Sequence, residues 1–153
     1  MKADTRLFGS IDIEDKKIIN LPNGIIGFPN LKKFALIYDK DSEDKNTIMW
    51  LQSMDEPKFA LPVIQPSVIF QDYNPVVNDE LLLSIGNLTE ENLYVLVTVR
   101  VPTDITDMSV NLKAPFIINT DTMKAAQIIV ENEDYQIRFP IYHLLKDKKE
   151  AGN

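Results

Sequence analysis

The sequence contains no cysteine and only one histidine, His143. The lack of cysteine excludes a disulfide framework, a thiol nucleophile and zinc held by thiolates. His143 lies near the C-terminus without a second histidine at metal-ligand spacing, and it offers no recognisable Ser-His-Asp triad. We therefore expect no enzymatic activity, no metal and no cofactor.

Glycine is also scarce, with five residues in 153. Gly24 and Gly27 lie close together, but no lysine follows them and no strand-loop-helix pattern surrounds them, so they do not predict a phosphate-binding loop. Pro-Asn-Gly at residues 22–24 is instead typical of a turn, because proline fixes φ and asparagine and glycine tolerate positive φ. The glycines thus indicate turns.

Long apolar runs are missing as well. No run approaches the roughly 20 residues of a membrane span. The first ten residues carry Lys2, Asp4 and Arg6 and lack the apolar stretch of a signal peptide. We therefore expect a cytoplasmic protein that has no membrane partner.

The chain has ample acidic charge and an ordinary share of apolar residues. Hydrophobic residues make up 44% of the sequence, which is enough for the core of one domain. We expect this domain to span residues 1–145, with the polar residues 146–153 as a flexible tail. The net charge of -7 disfavours direct binding of nucleic acid and favours basic protein partners.

Short β-rich runs separated by turn residues predict the fold class. Residues 93–101 alternate most clearly, with Val95, Val97 and Val99 on one face, which predicts a strand with one deeply buried face. Further runs lie at residues 34–38, 47–52, 59–64, 116–119, 127–130 and 136–139. The pattern predicts an all-β, small barrel-like or sandwich domain of about eight to ten short strands with one or two short helices.

Three local predictions concern strands. Residues 7–13 and 16–21 are predicted to pair with each other. The run at residues 59–64 is predicted to be an edge or bulged strand, because Pro62 cannot supply a ladder N–H. Residues 67–70 are interpreted as strand-like.

Helix signals are few. Asn78 is predicted to cap a helix over residues 79–85, which has acidic residues in its first turn and Gly86 after its last. A second helix is predicted to begin at residue 141 and to fray before residue 149. The nine prolines argue against longer helices.

The segment around residues 70–74 is the first choice for contact with a protein partner. The candidate residues are Phe70, Asp72, Tyr73, Asn74, Asp79 and Glu80. Tyrosine in a constrained loop offers a large contact area at a small cost in entropy, and a carboxylate beside it suits a basic partner. The alternative is that Phe70 and Tyr73 point inward as part of the core.

Two further acidic segments are secondary candidates for the same role. Asp39, Asp41, Glu43 and Asp44 concentrate negative charge in a predicted hairpin loop, and Asp55 and Glu56 form another short acidic segment. For both segments the alternative is an ordinary solvated turn.

Several segments occur in an order that resembles one known family. They are Leu-Pro-Asn-Gly-Ile-Ile-Gly-Phe-Pro at residues 21–29, Trp-Leu-Gln-Ser at 50–53, Phe-Ala-Leu-Pro-Val-Ile-Gln-Pro at 59–66 and Asn-Leu-Lys-Ala-Pro-Phe-Ile-Ile-Asn at 111–119. In this order and at this spacing, the set is similar to the FliW family of flagellar assembly factors. The resemblance extends over about residues 4–142.

The resemblance implies a small all-β protein that binds the translational regulator CsrA and antagonises its binding to messenger RNA. It also implies flagellin as a competing partner, which would couple flagellin synthesis to assembly. Two alternatives stay open: a hydrolase that uses paired carboxylates on a β scaffold, and a structural subunit without a regulatory role. The sequence leaves the oligomeric state open.

Overall fold

The computed structural model describes residues 1–38 and 48–151. This part of the chain forms the strands β1 (Lys2–Thr5), β2 (Gly9–Asp12), β3 (Ile19–Asn20), β4 (Lys33–Ile37), β5 (Met49–Ser53), β6 (Ala60–Ile64), β7 (Leu93–Arg100), β8 (Ser109–Val110), β9 (Phe116–Asn119), β10 (Lys124–Gln127) and β11 (Phe139–Pro140). The helix α1 spans Tyr142–Ala151, and 3₁₀ helices lie at Asp15–Lys17, Pro66–Val68, Asp79–Ile85 and Ile105–Asp107. The predicted all-β class is confirmed.

Seven of the strands close into a barrel. They follow the order β7-β6-β5-β4-β3-β10-β9, and β9 pairs back onto β7. Closure depends on one parallel contact, in which Lys124 of β10 lies opposite Asn20 of β3. Closing a sheet in this way removes the edges on which other chains could pair. β8 and β11 extend the sheet outward from β7, and β1 forms a separate hairpin with β2.

Alternate residues of the barrel strands fill its interior. The buried side chains of this first core cluster include Ile19, Leu21, Phe34, Leu51, Val63, Leu96, Phe116 and Ile118. Successive side chains of a strand point to opposite faces, so a strand contributes every second residue, as β9 does with Phe116 and Ile118. Burial of this apolar surface is the main force that holds the barrel together.

β7 is buried on both faces along its middle, whereas the sequence predicts one buried face. Leu96 belongs to the cluster inside the barrel, while Val97 and Val99 belong to a second core cluster. The second cluster includes Val110 of β8 and Ile141, which directly precedes α1. The additional strands therefore cover a barrel face that would otherwise be exposed to water.

The predicted pairing of residues 7–13 with 16–21 is wrong. β2 pairs with β1 to form an N-terminal hairpin. Thr5 stabilises its turn, because its hydroxyl accepts a hydrogen bond from the Phe8 N–H at 3.0 Å and donates one to the Gly9 carbonyl at 2.8 Å. β3 instead enters the barrel between β4 and β10.

β6 lies inside the sheet, so its prediction as an edge strand is wrong. Pro62 lies opposite Trp50 of β5. On the other side, β6 pairs with β7 only through Val63 and Ile64. The proline is tolerated because the ladder with β7 does not extend to it.

Residues 67–70 do not form a strand. They follow Pro66, which begins the 3₁₀ helix Pro66–Val68, and the N–H groups of Ile69 and Phe70 both donate to the Pro66 carbonyl. The apolar side chains that suggested a strand pack into the second core cluster. Apolar content alone did not separate a strand from a tight turn at this place.

Both predicted helices are present. The first is a 3₁₀ helix, in which the Asn78 side chain accepts a hydrogen bond from the Glu80 N–H at 3.0 Å and Gly86 follows with a φ of 90°. The second is α1, which begins at Tyr142 and ends at Ala151.

Candidate partner-binding groove

A surface groove with a volume of about 450 Å³ lies beside the barrel. Its lining includes Tyr73, Asn74, Pro75, Val77, Leu82, Leu93, Val95 and Ile117. These residues come from the loop before the Asp79–Ile85 helix, from that helix, and from neighbouring positions on β7 and β9. We call this space the groove. Its mostly apolar lining with a few polar groups is typical of a binding surface.

Phe70 and Tyr73 anchor the loop that borders the groove. The Phe70 ring meets those of Tyr135 and Phe139 edge-on, with centroids 5.7 and 5.4 Å apart. The Tyr73 ring stacks on Tyr135 at 5.1 Å. Both residues are half-buried against the second core cluster. Their first role is therefore packing, as the alternative interpretation of the sequence has it, and Tyr73 also lines the groove.

Tyr73 is held at its polar end too. Its hydroxyl donates a hydrogen bond of 2.8 Å to the Leu112 carbonyl. Burial raises the pKa of the Tyr73 phenol well above its usual range, and the neighbouring Tyr135 raises it further. The phenol is therefore neutral at physiological pH and remains a donor, and its hydrogen bond to Leu112 ties the loop to the barrel at this residue.

Asn132 fixes the next part of the loop, and the sequence analysis missed it. Its side-chain oxygen accepts a hydrogen bond from the Val76 N–H at 2.6 Å, and its side-chain nitrogen donates to the Asn74 carbonyl at 3.1 Å. The Tyr135 hydroxyl accepts from the Asn74 N–H at 2.7 Å. Asn132 lies in a polar turn that looks like any solvated turn, so no signal in one sequence distinguishes it.

The far end of the Asp79–Ile85 helix is fastened to the barrel. The buried side chain of Asn119 donates a hydrogen bond to the Ile85 carbonyl at 2.9 Å, and the Thr122 hydroxyl donates to the same carbonyl at 2.9 Å. Ile85 is itself buried, with Ile117 and Ile128, in a separate core cluster. Both the loop and the helix beside the groove are thus held on the barrel by specific hydrogen bonds.

The predicted carboxylates beside the groove are exposed. Asp72 lies between Phe70 and Tyr73 in the sequence, and Asp79 and Glu80 form the first turn of the 3₁₀ helix. Among the residues that the structure describes, the ion pairs all involve the N-terminal segment, so none of these three carboxylates is paired. Their charges are available to a basic partner.

Two of the secondary candidates, Asp55 and Glu56, do not line the groove. The Asp55 carboxylate accepts hydrogen bonds from the N–H groups of Lys32 and Lys33 at 2.7 and 2.8 Å, where it holds the start of β4. Glu56 is exposed beside it. The other four, Asp39, Asp41, Glu43 and Asp44, lie outside the described residues.

Among the residues that the structure describes, no group of three or more histidine, aspartate or glutamate side chains could hold a metal ion. The same part of the chain forms no helix with the length and apolar character needed to cross a membrane.

Comparison with known proteins agrees with this architecture. A crystal structure of the flagellar assembly factor FliW superposes with a TM-score of 0.83 at 27% identity, over 93% of this chain and 97% of the other. Proteins named flagellar assembly factor FliW from Lachnospira eligens and Lachnoclostridium phytofermentans are 47% and 46% identical to the chain. These alignments cover 97% and 99% of this chain and 99% of each relative.

The fold and these relatives define the class of the protein as a flagellar assembly factor. The family model described as FliW protein matches residues 2–141. The chain belongs to the FliW family.

Proposed function

We propose that the protein works in the cytoplasm by binding CsrA through the groove and its carboxylates, and that this binding antagonises the binding of CsrA to messenger RNA. Flagellin is proposed as the competing partner, so that free flagellin releases CsrA. The observation that carries the proposal is the apolar groove with exposed carboxylates in the loop and the helix beside it, which make no ion pair with any residue that the structure describes. Membership in a family of flagellar assembly factors supports it.

The charges of the two proteins explain how such a complex would form and act. The net charge of -7 steers a basic RNA-binding surface toward this protein and raises the rate of encounter. The apolar lining of the groove then supplies contact area that excludes water. In the complex, the added negative potential near the RNA site repels the phosphate backbone.

The proposal is tested by removing the three charges beside the groove in the triple variant Asp72→Asn, Asp79→Asn and Glu80→Gln. The matched control, Asp4→Asn, Glu14→Gln and Asp107→Asn, removes three exposed carboxylates elsewhere and leaves the same net charge. Calorimetric titration with CsrA should show an affinity about tenfold lower for the first variant and little change for the control. An equal loss of affinity in both variants would show that the net charge, and not the position of the carboxylates beside the groove, determines the affinity for CsrA.

Competition by flagellin needs its own measurement. Flagellin monomers added to a preformed complex with CsrA should displace CsrA in a concentration-dependent manner on a size-exclusion column. A stable complex of all three proteins would contradict competition. The triple variant without the three carboxylates beside the groove distinguishes the two binding surfaces. Loss of CsrA binding with retained flagellin binding would show that flagellin uses another surface.

A further inference from the structure

The barrel has a recess of about 590 Å³ at the end where β4 finishes and β5 and β7 begin. Its lining includes Leu36, Met49, Gln65, Tyr94, Ile118 and Met123. Four of these, Leu36, Met49, Tyr94 and Met123, are partly buried side chains packed against the core inside the barrel. The recess is therefore an opening into the barrel interior, and it is larger than the groove.

The walls of the recess are mainly apolar and adaptable. Met49 and Met123 carry unbranched thioether side chains, which change conformation easily to fit an irregular ligand. Binding sites for small molecules typically have volumes of about 300–1,000 Å³ and a mostly apolar lining with few polar groups. The volume and the apolar lining of the recess therefore suit a small molecule.

Tyr94 supplies a hydrogen-bond donor inside the recess. Its hydroxyl accepts a hydrogen bond from the Gln65 side-chain nitrogen at 3.2 Å. The hydroxyl hydrogen is directed at the Met49 sulfur at 3.8 Å. A thioether is a weak acceptor, so a carboxylate or carbonyl oxygen of a ligand would replace it with a gain in hydrogen-bond energy. Lys17 also lines the recess and adds a positive charge.

We propose that this recess is a binding site for a small amphipathic molecule, with an apolar chain or ring system inside the barrel and one carboxylate-like head group near Tyr94 and Lys17. This inference does not depend on the proposed partners or on the groove. The inference assigns a ligand site to the interior of the barrel, a role that the family name does not state.

Sodium decanoate is a suitable probe, because it combines an apolar chain with a carboxylate. Titration of decanoate into isotope-labelled protein, followed by nuclear magnetic resonance, should give saturable shifts of backbone amide signals at low millimolar concentration. The shifts should be concentrated at Leu36, Met49 and Ile118. Shifts that do not saturate, or that are equally large around the exposed apolar residues Leu83 and Ile137, would overturn the proposal.

Two variants test the location and the chemistry. Leu36→Trp fills the recess and should abolish the saturable shifts, while Leu83→Trp adds the same side chain at a position that is 77% exposed and should leave them unchanged. Tyr94→Phe keeps the shape and removes the donor, so it should weaken decanoate binding about fivefold. Thermal unfolding confirms that each variant is folded. Unchanged decanoate binding by folded Leu36→Trp, or by Tyr94→Phe, would overturn the proposal.

Discussion

The two ends of the barrel are closed by different means. At one end, the turn segment at residues 21–29 places Leu21 and Ile25 in the core, with 1% and 5% of their surface exposed. It also packs the Phe28 ring against Phe59, with the ring planes tilted by 55° and the centroids 5.1 Å apart. At the other end, Leu36, Met49, Tyr94 and Met123 border the recess and are only partly buried, while Ile19 and Ile118, which also line it, are buried. The sealed end therefore contributes stability, whereas the open end leaves apolar surface available for binding.

The largest expected effect comes from the sealed end at Gly24. Its φ is +69°, and an added Cβ atom would lie 2.6 Å from the Pro29 carbonyl carbon. Gly24→Ala should therefore lower the free energy of unfolding by about 3–5 kcal/mol, since backbone strain and a clash with main chain add together. Urea unfolding measures this change.

Gly27→Ala is the matched control for that experiment. Gly27 also has a positive φ, of +88°, but its added Cβ would meet no atom within 4 Å. Gly27→Ala should lower the free energy of unfolding by only about 1–2 kcal/mol, which is the cost of the left-handed backbone conformation for alanine. Equal destabilisation by the two substitutions would show that the close approach to Pro29 is unimportant.

A direct comparison of the two ends gives the second prediction. Ile25→Ala should lower the free energy of unfolding by about 2–4 kcal/mol, because it leaves a cavity in the sealed end. Met49→Ala at the open end should cost about 1 kcal/mol, because Met49 is half-buried and its loss enlarges a space already open to water. If Met49→Ala is as destabilising as Ile25→Ala, the two ends do not differ in the way described.

The smallest effect concerns Tyr94 and pH. Burial raises the pKa of its phenol. The hydrogen bond from Gln65 acts in the opposite direction, and the nearby Tyr38 raises the pKa further. The folded protein thus holds this proton more tightly than the unfolded chain, so the stability due to Tyr94 is complete below a pH of about 10 and is lost as the pH rises above it. The stability of the Tyr94→Phe variant should fall less steeply than that of the unmodified protein between a pH of about 9 and about 11. A steeper alkaline fall in the variant would contradict this assignment.

Local patterns predicted the elements well where one physical rule decided the outcome. The alternation of β-branched residues located β7, and the capping residue Asn78 with Gly86 located the 3₁₀ helix. The closure of the barrel could not be predicted, because it depends on Asn20 and Lys124, which are far apart in the chain and carry no pairing signal. The N-terminal hairpin was missed because a polar first strand resembles a disordered terminus.

The candidate site was predicted in part. The sequence pointed to a loop of which Tyr73 and Asn74 line the groove, and its role in binding a partner stays a prediction. It did not reveal that Asn132 holds this loop, because the two hydrogen bonds join residues more than fifty positions apart. The recess is equally invisible in the sequence, since Leu36, Met49 and Tyr94 look like ordinary core residues there.

Gln65 and Tyr94 line the groove as well as the recess, so one hydrogen-bonded pair forms a wall between the two spaces. A molecule that changes the position of this pair from one side changes the surface offered on the other. Thermodynamic linkage then requires reciprocity: if a ligand in the recess alters the affinity for a protein in the groove by some factor, the protein alters the affinity for that ligand by the same factor. Through this wall, a small molecule in the recess and a protein partner in the groove would each change the affinity of the other.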